Sequence, residues 1–270
     1  MLSKLIKYEW KACARACLPV YGAALIVALI NRVLSGLQLE HTMGDVPMMI
    51  AAMMYFGVMV AVFVVTAVIL VQRFYKSLLG DEGYLMFTLP ATVGQHIWAK
   101  SIIALVMCVL SGVAAVLSVV ILAAQSSLPQ DIWNLFTDFF RVFRESQFGA
   151  VNGMFYMIEA FALCALCGLF GILFIYLCIA LGHMAKKHRV AMAVIWYFIL
   201  STVVQIVASF LLFSNGATSL YQMMFSWVEH MPVAAGVHVG MLVLCIGAAI
   251  PTAACFLGTR YILQNKLNLE

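Results

Sequence analysis

Charged residues are the scarcest class in this sequence. Asp, Glu, Lys and Arg make up 10% of the 270 residues, whereas hydrophobic residues make up 65%. An ordinary soluble domain carries about 25% charged residues. The composition therefore excludes a typical soluble protein and indicates a protein that is embedded in a membrane.

The sequence also lacks the short motifs on which many enzymes depend. It contains no G-x-x-x-x-G-K-[ST] to bind a nucleotide through a P-loop, no H-E-x-x-H and no G-x-S-x-G. Cys164 and Cys167 form a C-x-x-C inside an apolar run, but no two further ligands lie nearby to complete a zinc site. We therefore predict that these cysteines are packing residues, and that this chain holds no catalytic residue, metal or cofactor.

Long apolar runs dominate what is present. A transmembrane helix needs about 20 mainly apolar residues to cross the hydrocarbon core. Six segments meet this requirement: 17–37, 47–72, 99–124, 153–181, 190–213 and 234–257. The sequence predicts an all-α integral membrane protein with six transmembrane helices, forming a single transmembrane domain over residues 1–270.

The basic residues are unevenly distributed among the connections between these runs. If the N-terminus is cytoplasmic, 12 of the 15 basic residues fall in inner segments, and only Arg32, Arg141 and Arg144 fall outside. This bias is the positive-inside pattern. It predicts a multi-pass protein of the plasma membrane with both termini in the cytoplasm. The net charge of +4 is then a consequence of topology, and nucleic acid is not an expected partner.

Three segments outside the spans have patterns of their own. Residues 1–16 place basic side chains on one helical face and apolar ones on another, which predicts a helix in the cytoplasmic membrane interface. Residues 125–152 contain an amphipathic, aromatic-rich helix that either anchors to the outer lipid headgroups or covers an exit path. Residues 214–233 predict a second extracytoplasmic helical segment.

Three ionisable residues near the outer ends of spans are candidates for function. Glu159 lies about one and a half turns inside the fourth span, where a carboxylate is a functional candidate by default. It either lines a translocation path or is a structural charge at the outer interface, paired with Arg32 or with the helix of residues 125–152. His238 is expected to lie within the outer leaflet and to make a structural hydrogen bond.

The stretch "RFYKSLLGDEGYLMFTLPATVGQHIWAK", from Arg73 to Lys100, separates the second and third spans. Gly80 is a natural helix stop, and Asp81 can cap a short helix that ends before Pro90. Thr92 and Gln95 match a capping box that begins the next helix. The pattern predicts a rigid, short cytoplasmic helix within a loop at residues 73–98.

This stretch resembles the cytoplasmic loop of ABC-2 type transporter permease subunits, of the bacterial, half-size, six-span kind. The layout is similar as well: an N-terminal helix "LIKYEWKACAR", six spans, an outer helical insert before the last span and a short basic tail. In that family the loop carries a coupling helix that docks on a separate ATP-binding subunit. The resemblance implies that this contact is made or supported by Tyr75, Lys76, Asp81, Glu82, Gly83, Tyr84, Leu85 and Phe87.

The resemblance also implies the partners and the activity. ATP and Mg would bind to the separate ABC ATP-binding subunit, so this chain would not itself be an enzyme. A second permease would complete a homodimer or heterodimer, surrounded by membrane lipid. The expected function is the membrane-spanning permease of an ATP-driven exporter for an amphipathic peptide, lipid or drug. The alternative is an integral membrane sensor, scaffold or channel that works without ATP.

Overall fold

The protein folds into long helices. A computed structural model describes residues 2–36, 46–79, 92–123, 149–185, 188–213 and 232–265, together with isolated residues between 134 and 141 and between 219 and 226. The helices are α1 (Leu2–Gly36), α2 (Val46–Phe74), α3 (Val93–Ala123), α4 (Gly149–His183), α5 (Arg189–Phe213) and α6 (Val233–Asn265), and α2 continues into a π-helical turn at Tyr75–Leu79.

The prediction of six apolar helices long enough to cross a membrane is confirmed. Each helix contains a window whose mean hydropathy lies between 1.9 and 2.8. Few residues interrupt these helices: among the described residues, prolines beyond the first helical turn occur at Pro19 of α1 and Pro251 of α6. Proline is tolerated within membrane helices because neighbouring groups satisfy the freed carbonyl.

Helices α1, α2 and α3 form one compact unit. Helix α1 packs against both of the others. Its buried face is made of small residues such as Cys17, Ala24 and Ala28, which allow helices to approach closely. The Tyr21 hydroxyl of α1 donates to the Met107 carbonyl of α3 at 3.1 Å and accepts from Thr66 of α2 at 3.2 Å.

The order of such contacts gives the helix directions in this unit. Tyr55, early in α2, is hydrogen-bonded to Ser118, late in α3, at 2.8 Å. Asn31, late in α1, donates to the Ala51 carbonyl, early in α2, at 3.0 Å. Helices α1 and α3 therefore run parallel, and α2 runs antiparallel to both. The start of α1, the end of α2 and the start of α3 meet at one end of the unit.

Helices α4, α5 and α6 form the second compact unit, in which α4 packs against both of the others. Helix α5 follows α4 after a few residues, and the two backbones approach closely at Gly182 and Ala193. A Cβ atom on Gly182 would lie 2.6 Å from the Cβ of Ala193. His188 begins α5 in the left-handed region, with φ 54°, and its carbonyl accepts the Met192 N–H at 3.0 Å.

Three segments were predicted to lie outside the spans, and the structure describes only the first of them nearly in full. Residues 2–16 are helical but continuous with the first span, so no separate element marks the predicted interfacial helix at 1–16. Its position in the membrane interface stays a prediction. Most of residues 125–152 and 214–233 lie outside the described residues, so the two extracytoplasmic segments also stay predictions.

Candidate functional site

The two ends of the predicted coupling loop are well defined. After Phe74 the α2 helix widens into the π-helical turn Tyr75–Leu79. Turns of this kind are rare and frequently occur at functional sites. Within the turn, Tyr75 is half-buried and Lys76 is exposed. Of the predicted contact residues, these two are therefore placed just after α2, and Lys76 is exposed.

The predicted capping box at the other end is confirmed. The Thr92 N–H donates to Gln95 Oε1 at 3.2 Å, and the Gln95 N–H donates to Thr92 Oγ1 at 3.4 Å. These reciprocal bonds satisfy two N–H groups that a helix start leaves without partners. Helix α3 therefore has a fixed starting point where the loop ends. The remaining predicted contact residues, Asp81, Glu82, Gly83, Tyr84, Leu85 and Phe87, lie outside the described residues.

A buried charge cluster joins the three helices at this same end of the first unit. The Arg73 Nε–H donates to Glu9 Oε2 at 2.7 Å, and the Lys100 ammonium donates to Glu9 Oε1 at 2.5 Å. The side chain of Glu9 is 6% exposed and that of Lys100 is 4% exposed, while Arg73 keeps 34% of its side chain accessible. One carboxylate therefore uses both oxygens to bind a cation from each of the two other helices.

The electrostatics of this cluster follow from its burial. Ion pairs are weakly screened away from water, so the Coulombic attraction between Glu9 and Lys100 is greater than it would be in an exposed salt bridge, and that between Glu9 and the partly accessible Arg73 is increased less. Taking the three charges out of water is also costly, which makes such a cluster poor evidence for stability alone. With one acid and two bases, the cluster carries a net charge of +1 when all three groups are ionised.

Two further polar side chains are buried near the start of α3. His96 and Ser101 are almost fully buried, and His96 is placed one helical turn before Lys100. Within the part of the chain that the structure describes, His96 Nε2 and Ser101 Oγ have no hydrogen-bond partner. Buried polar atoms without partners are uncommon. The start of α3 therefore holds more hydrogen-bonding capacity than the observed contacts use.

Sequence reasoning missed the role of Glu9. The helical pattern of residues 1–16 drew attention to the basic face and to Trp10, which is 39% exposed. The informative signal was that Glu9 is the only acidic residue among the first 39. It also lies four residues before Cys13 and eight before Cys17, and all three side chains are buried on one stripe of α1.

A hydrogen-bonded pair of ionisable side chains lies in the other unit. His238 of α6 donates from Nδ1 to Glu159 Oε1 of α4 at 2.8 Å. The His238 ring stacks on Tyr156 with centroids 4.3 Å apart and meets Phe155 edge-on at 6.4 Å. The second carboxylate oxygen, Oε2, is buried and has no partner among the described residues.

The positions of His238, Glu159 and Arg32 can be compared with the predictions made for these three residues. The structural hydrogen bond expected of His238 is present, and its acceptor is the carboxylate singled out in the fourth span. Arg32 lies in the last turns of α1 and is half-buried. Glu159 is hydrogen-bonded to His238. Its pairing with Arg32 or with the helix of residues 125–152, and its place in a translocation path, stay predictions.

Cys164 and Cys167 lie on α4 and are exposed, which differs from the expected packing role. The reason is that lipid chains are as apolar as a helix interface, so an apolar run does not separate buried from lipid-facing positions. Among the described residues, no three His, Cys, Asp or Glu side chains are grouped as metal ligands would be.

The chain matches no protein-family model, and no curated protein or solved structure is significantly similar to it. Arguments about function therefore depend on the chemistry of its own residues.

Proposed function

We propose that this protein is the membrane-spanning permease subunit of an ATP-driven ABC-2 type exporter. The observation that carries the proposal is the charged, aromatic-rich stretch at residues 73–98 between two long apolar helices. Its ends are the π-helical turn after α2 and the capped start of α3. A loop with fixed ends can transmit displacement to the helices on either side, whereas loose ends would absorb it.

In this proposal a separate ATP-binding subunit supplies the energy. Its closure on ATP would push on the coupling helix, with Tyr84, Leu85 and Phe87 as aromatic and aliphatic anchors in its groove. Asp81 and Glu82 would set the register of docking. The resulting rigid-body shift of the helices would open a path to the outside. Two permease chains and two ATPases would form the transporter in the plasma membrane.

The proposed cargo is amphipathic: a peptide, a lipid or a drug. The basis is the character of the helices, which expose many large apolar side chains, including Met49, Met53 and Phe56 on α2. Flexible thioethers and aromatic rings adapt to ligands of different shape. Such a surface suits a molecule with an extended apolar part better than it suits a small ion.

The experiment is a pull-down of the tagged protein from its native membranes, followed by mass spectrometry. We expect the wild type to retain an ABC ATPase and a permease, and the variant Y84A/L85A to lose the ATPase while keeping its helical content. The matched control is Y261A/L257A, which removes an exposed tyrosine and an exposed leucine from α6. Retention of the ATPase by Y84A/L85A would show that the coupling assignment is wrong.

A second candidate is an integral membrane sensor, scaffold or channel that works without ATP. The specific observation that favours it is the Glu159–His238 pair inside two candidate spans. Ionisable groups within membrane helices commonly mark ion or proton pathways. A wild-type pull-down that contains no ATPase, from membranes in which the protein is active, would select this candidate over the exporter.

A further inference from the structure

We propose that Glu9 is a positioning residue that ties both ends of the coupling loop to helix α1. Arg73 is the penultimate residue of α2, and Lys100 lies about two turns into α3, so these two cations stand on either side of the loop. Both donate to the same carboxylate, one to each oxygen. The carboxylate thus fixes the spacing of the loop's two ends and links that spacing to α1.

The contacts of Glu9 are ionic, and this argues that they position the helices and do not merely stabilise them. Further along the same three helices, α1 is joined to its neighbours by neutral groups, such as Tyr21 with Thr66. A buried ion pair is often no more stabilising than well-packed apolar residues of similar volume. Stability alone therefore does not explain three charges at the base of the loop. An ion pair does specify which side chains contact each other. It can also separate when the helices that carry the two charges move apart.

The geometry also implies a transmission step. If the end of α2 moves relative to the start of α3, one of the two bonds to Glu9 must lengthen or α1 must follow. The bond between Lys100 and Glu9 is buried and the bond between Arg73 and Glu9 is partly buried, so losing either without replacement is unfavourable, the first more so. Helix α1 is therefore drawn along with the ends of the loop. His96 Nε2 and Ser101 Oγ, which lack partners among the described residues, provide hydrogen-bonding groups for a rearranged cluster.

The role of Glu9 in transmitting movement to α1 rests on the proposed function, because it assumes that the loop receives force from an ATPase. Under that assumption α1 is a third moving helix, in addition to the two that flank the loop. Its exposed basic residues Lys4, Lys7 and Lys11 would carry the movement to the lipid headgroups. The direct contact between Glu9 and the loop ends does not depend on the assumption.

The first test measures amide hydrogen exchange by mass spectrometry on the protein in lipid nanodiscs. We expect Glu9→Gln to raise exchange about tenfold or more at residues 73–79 and 92–100, because local opening there loses its ionic restraint. The matched control Glu159→Gln makes the same change in the other unit and leaves these residues unaltered. Unchanged exchange at both loop ends in E9Q would overturn the proposal.

A second variant separates positioning from general destabilisation. E9Q/K100M removes both the acid and the buried lysine, so no unpaired buried charge remains apart from the partly accessible Arg73. We expect thermal stability to recover toward the wild type while exchange at the loop ends stays fast. If exchange recovers together with stability, or if it rises evenly along α1 to α3 in E9Q, Glu9 has only a structural role.

A third measurement tests transmission in the native complex. With ATP and vanadate, the wild-type complex should show a changed exchange rate at residues 2–16. The E9Q complex should retain its ATPase and lose this change. A change of wild-type size in E9Q would refute transmission through Glu9. If no ATPase co-purifies with the wild type, the proposed function fails, and the nanodisc experiments still decide whether Glu9 holds the loop ends.

Discussion

At the scale of single residues, the most informative side chains are buried ones that titrate. Glu9 and Lys100 are separated by 91 positions in the chain, yet they form a contact of 2.5 Å. Nothing in the local pattern around either residue indicates the other. Helical periodicity reports which face a residue occupies, whereas a long-range ion pair depends on how separate helices pack. Such a pair becomes visible only when the helices are assembled.

The Glu159–His238 pair leads to a prediction at this scale. His238→Phe keeps an aromatic ring against Tyr156 but removes the hydrogen bond to the carboxylate. Since the carboxylate is then left unpaired, we expect unfolding in lipid to become easier by about 1 kcal/mol or more. The measurement is the thermal or denaturant-induced unfolding of the purified protein.

The double variant H238F/E159L is the control for that prediction. It removes the acid together with its partner, so most of the lost stability should return. His238→Gln, which retains an N–H donor, should cost less than His238→Phe. Equal stability of H238F and the wild type would show that the pair contributes nothing to the fold.

At the scale of elements, helix ends are governed by local chemistry and helix interiors by composition. The capping box at Thr92 and Gln95 was predictable because its partners lie three residues apart. The π-helical turn at Tyr75–Leu79 was not, since no sequence pattern distinguishes it from a continued α-helix. The continuity of α1 through residues 2–36 also differs from a separate surface helix, because Pro19, close to the expected boundary, does not end the helix.

The junction between α4 and α5 gives a prediction about an element. Gly182 lies against the backbone of Ala193, where an added Cβ has no room. Gly182→Val should therefore force the two helices apart and cost about 2–4 kcal/mol or prevent folding, as overpacking does in tight interfaces. Folded yield and thermal stability in detergent measure the effect.

Gly171 provides the matched control on the same helix. A Cβ at this position meets no atom within 4 Å. Gly171→Ala should be neutral or slightly stabilising, by up to about 1 kcal/mol, because alanine favours the helix. If both glycine variants behave alike, the close approach at Gly182 is not what holds this pair of helices together.

At the scale of the whole molecule, composition determined most of what could be foreseen. The six apolar runs form six helices. In a membrane a single segment must satisfy its own backbone hydrogen-bonding groups, and the helix is the structure that does so. The division into two three-helix units was not foreseeable from the runs themselves. The sequence of an apolar helix gives little indication of which helices it packs against, since its lipid-facing and packed faces have similar side chains.

The candidate site could be predicted only in part from the sequence. The loop was recognisable from its charges and aromatics, which stand out in an apolar chain. The cluster that holds its ends was hidden, because Glu9 lies in a segment whose basic residues dominate the pattern. Lys100 likewise appeared as an ordinary cytoplasmic charge at the edge of a span, although its side chain is buried.

Membrane orientation is the prediction that belongs to this largest scale. We expect fusions after residue 270 and within residues 80–90 to give active cytoplasmic reporters, and a fusion within 125–152 to give an active extracytoplasmic one. Paired fusions of fluorescent protein and alkaline phosphatase at each position measure this directly. A periplasmic signal from residues 80–90 would exclude an ATPase contact there and, with it, the exporter.

The spacing of the charge cluster along the chain has a consequence for biosynthesis. When the ribosome has delivered the first helix, Glu9 has no partner, since Arg73 follows 64 residues later and Lys100 91 residues later. Before the third helix follows, Arg73 is the only one of these two cations that can pair with this acid. Glu9 therefore acquires both of its contacts only once α1, α2 and α3 have all been synthesised.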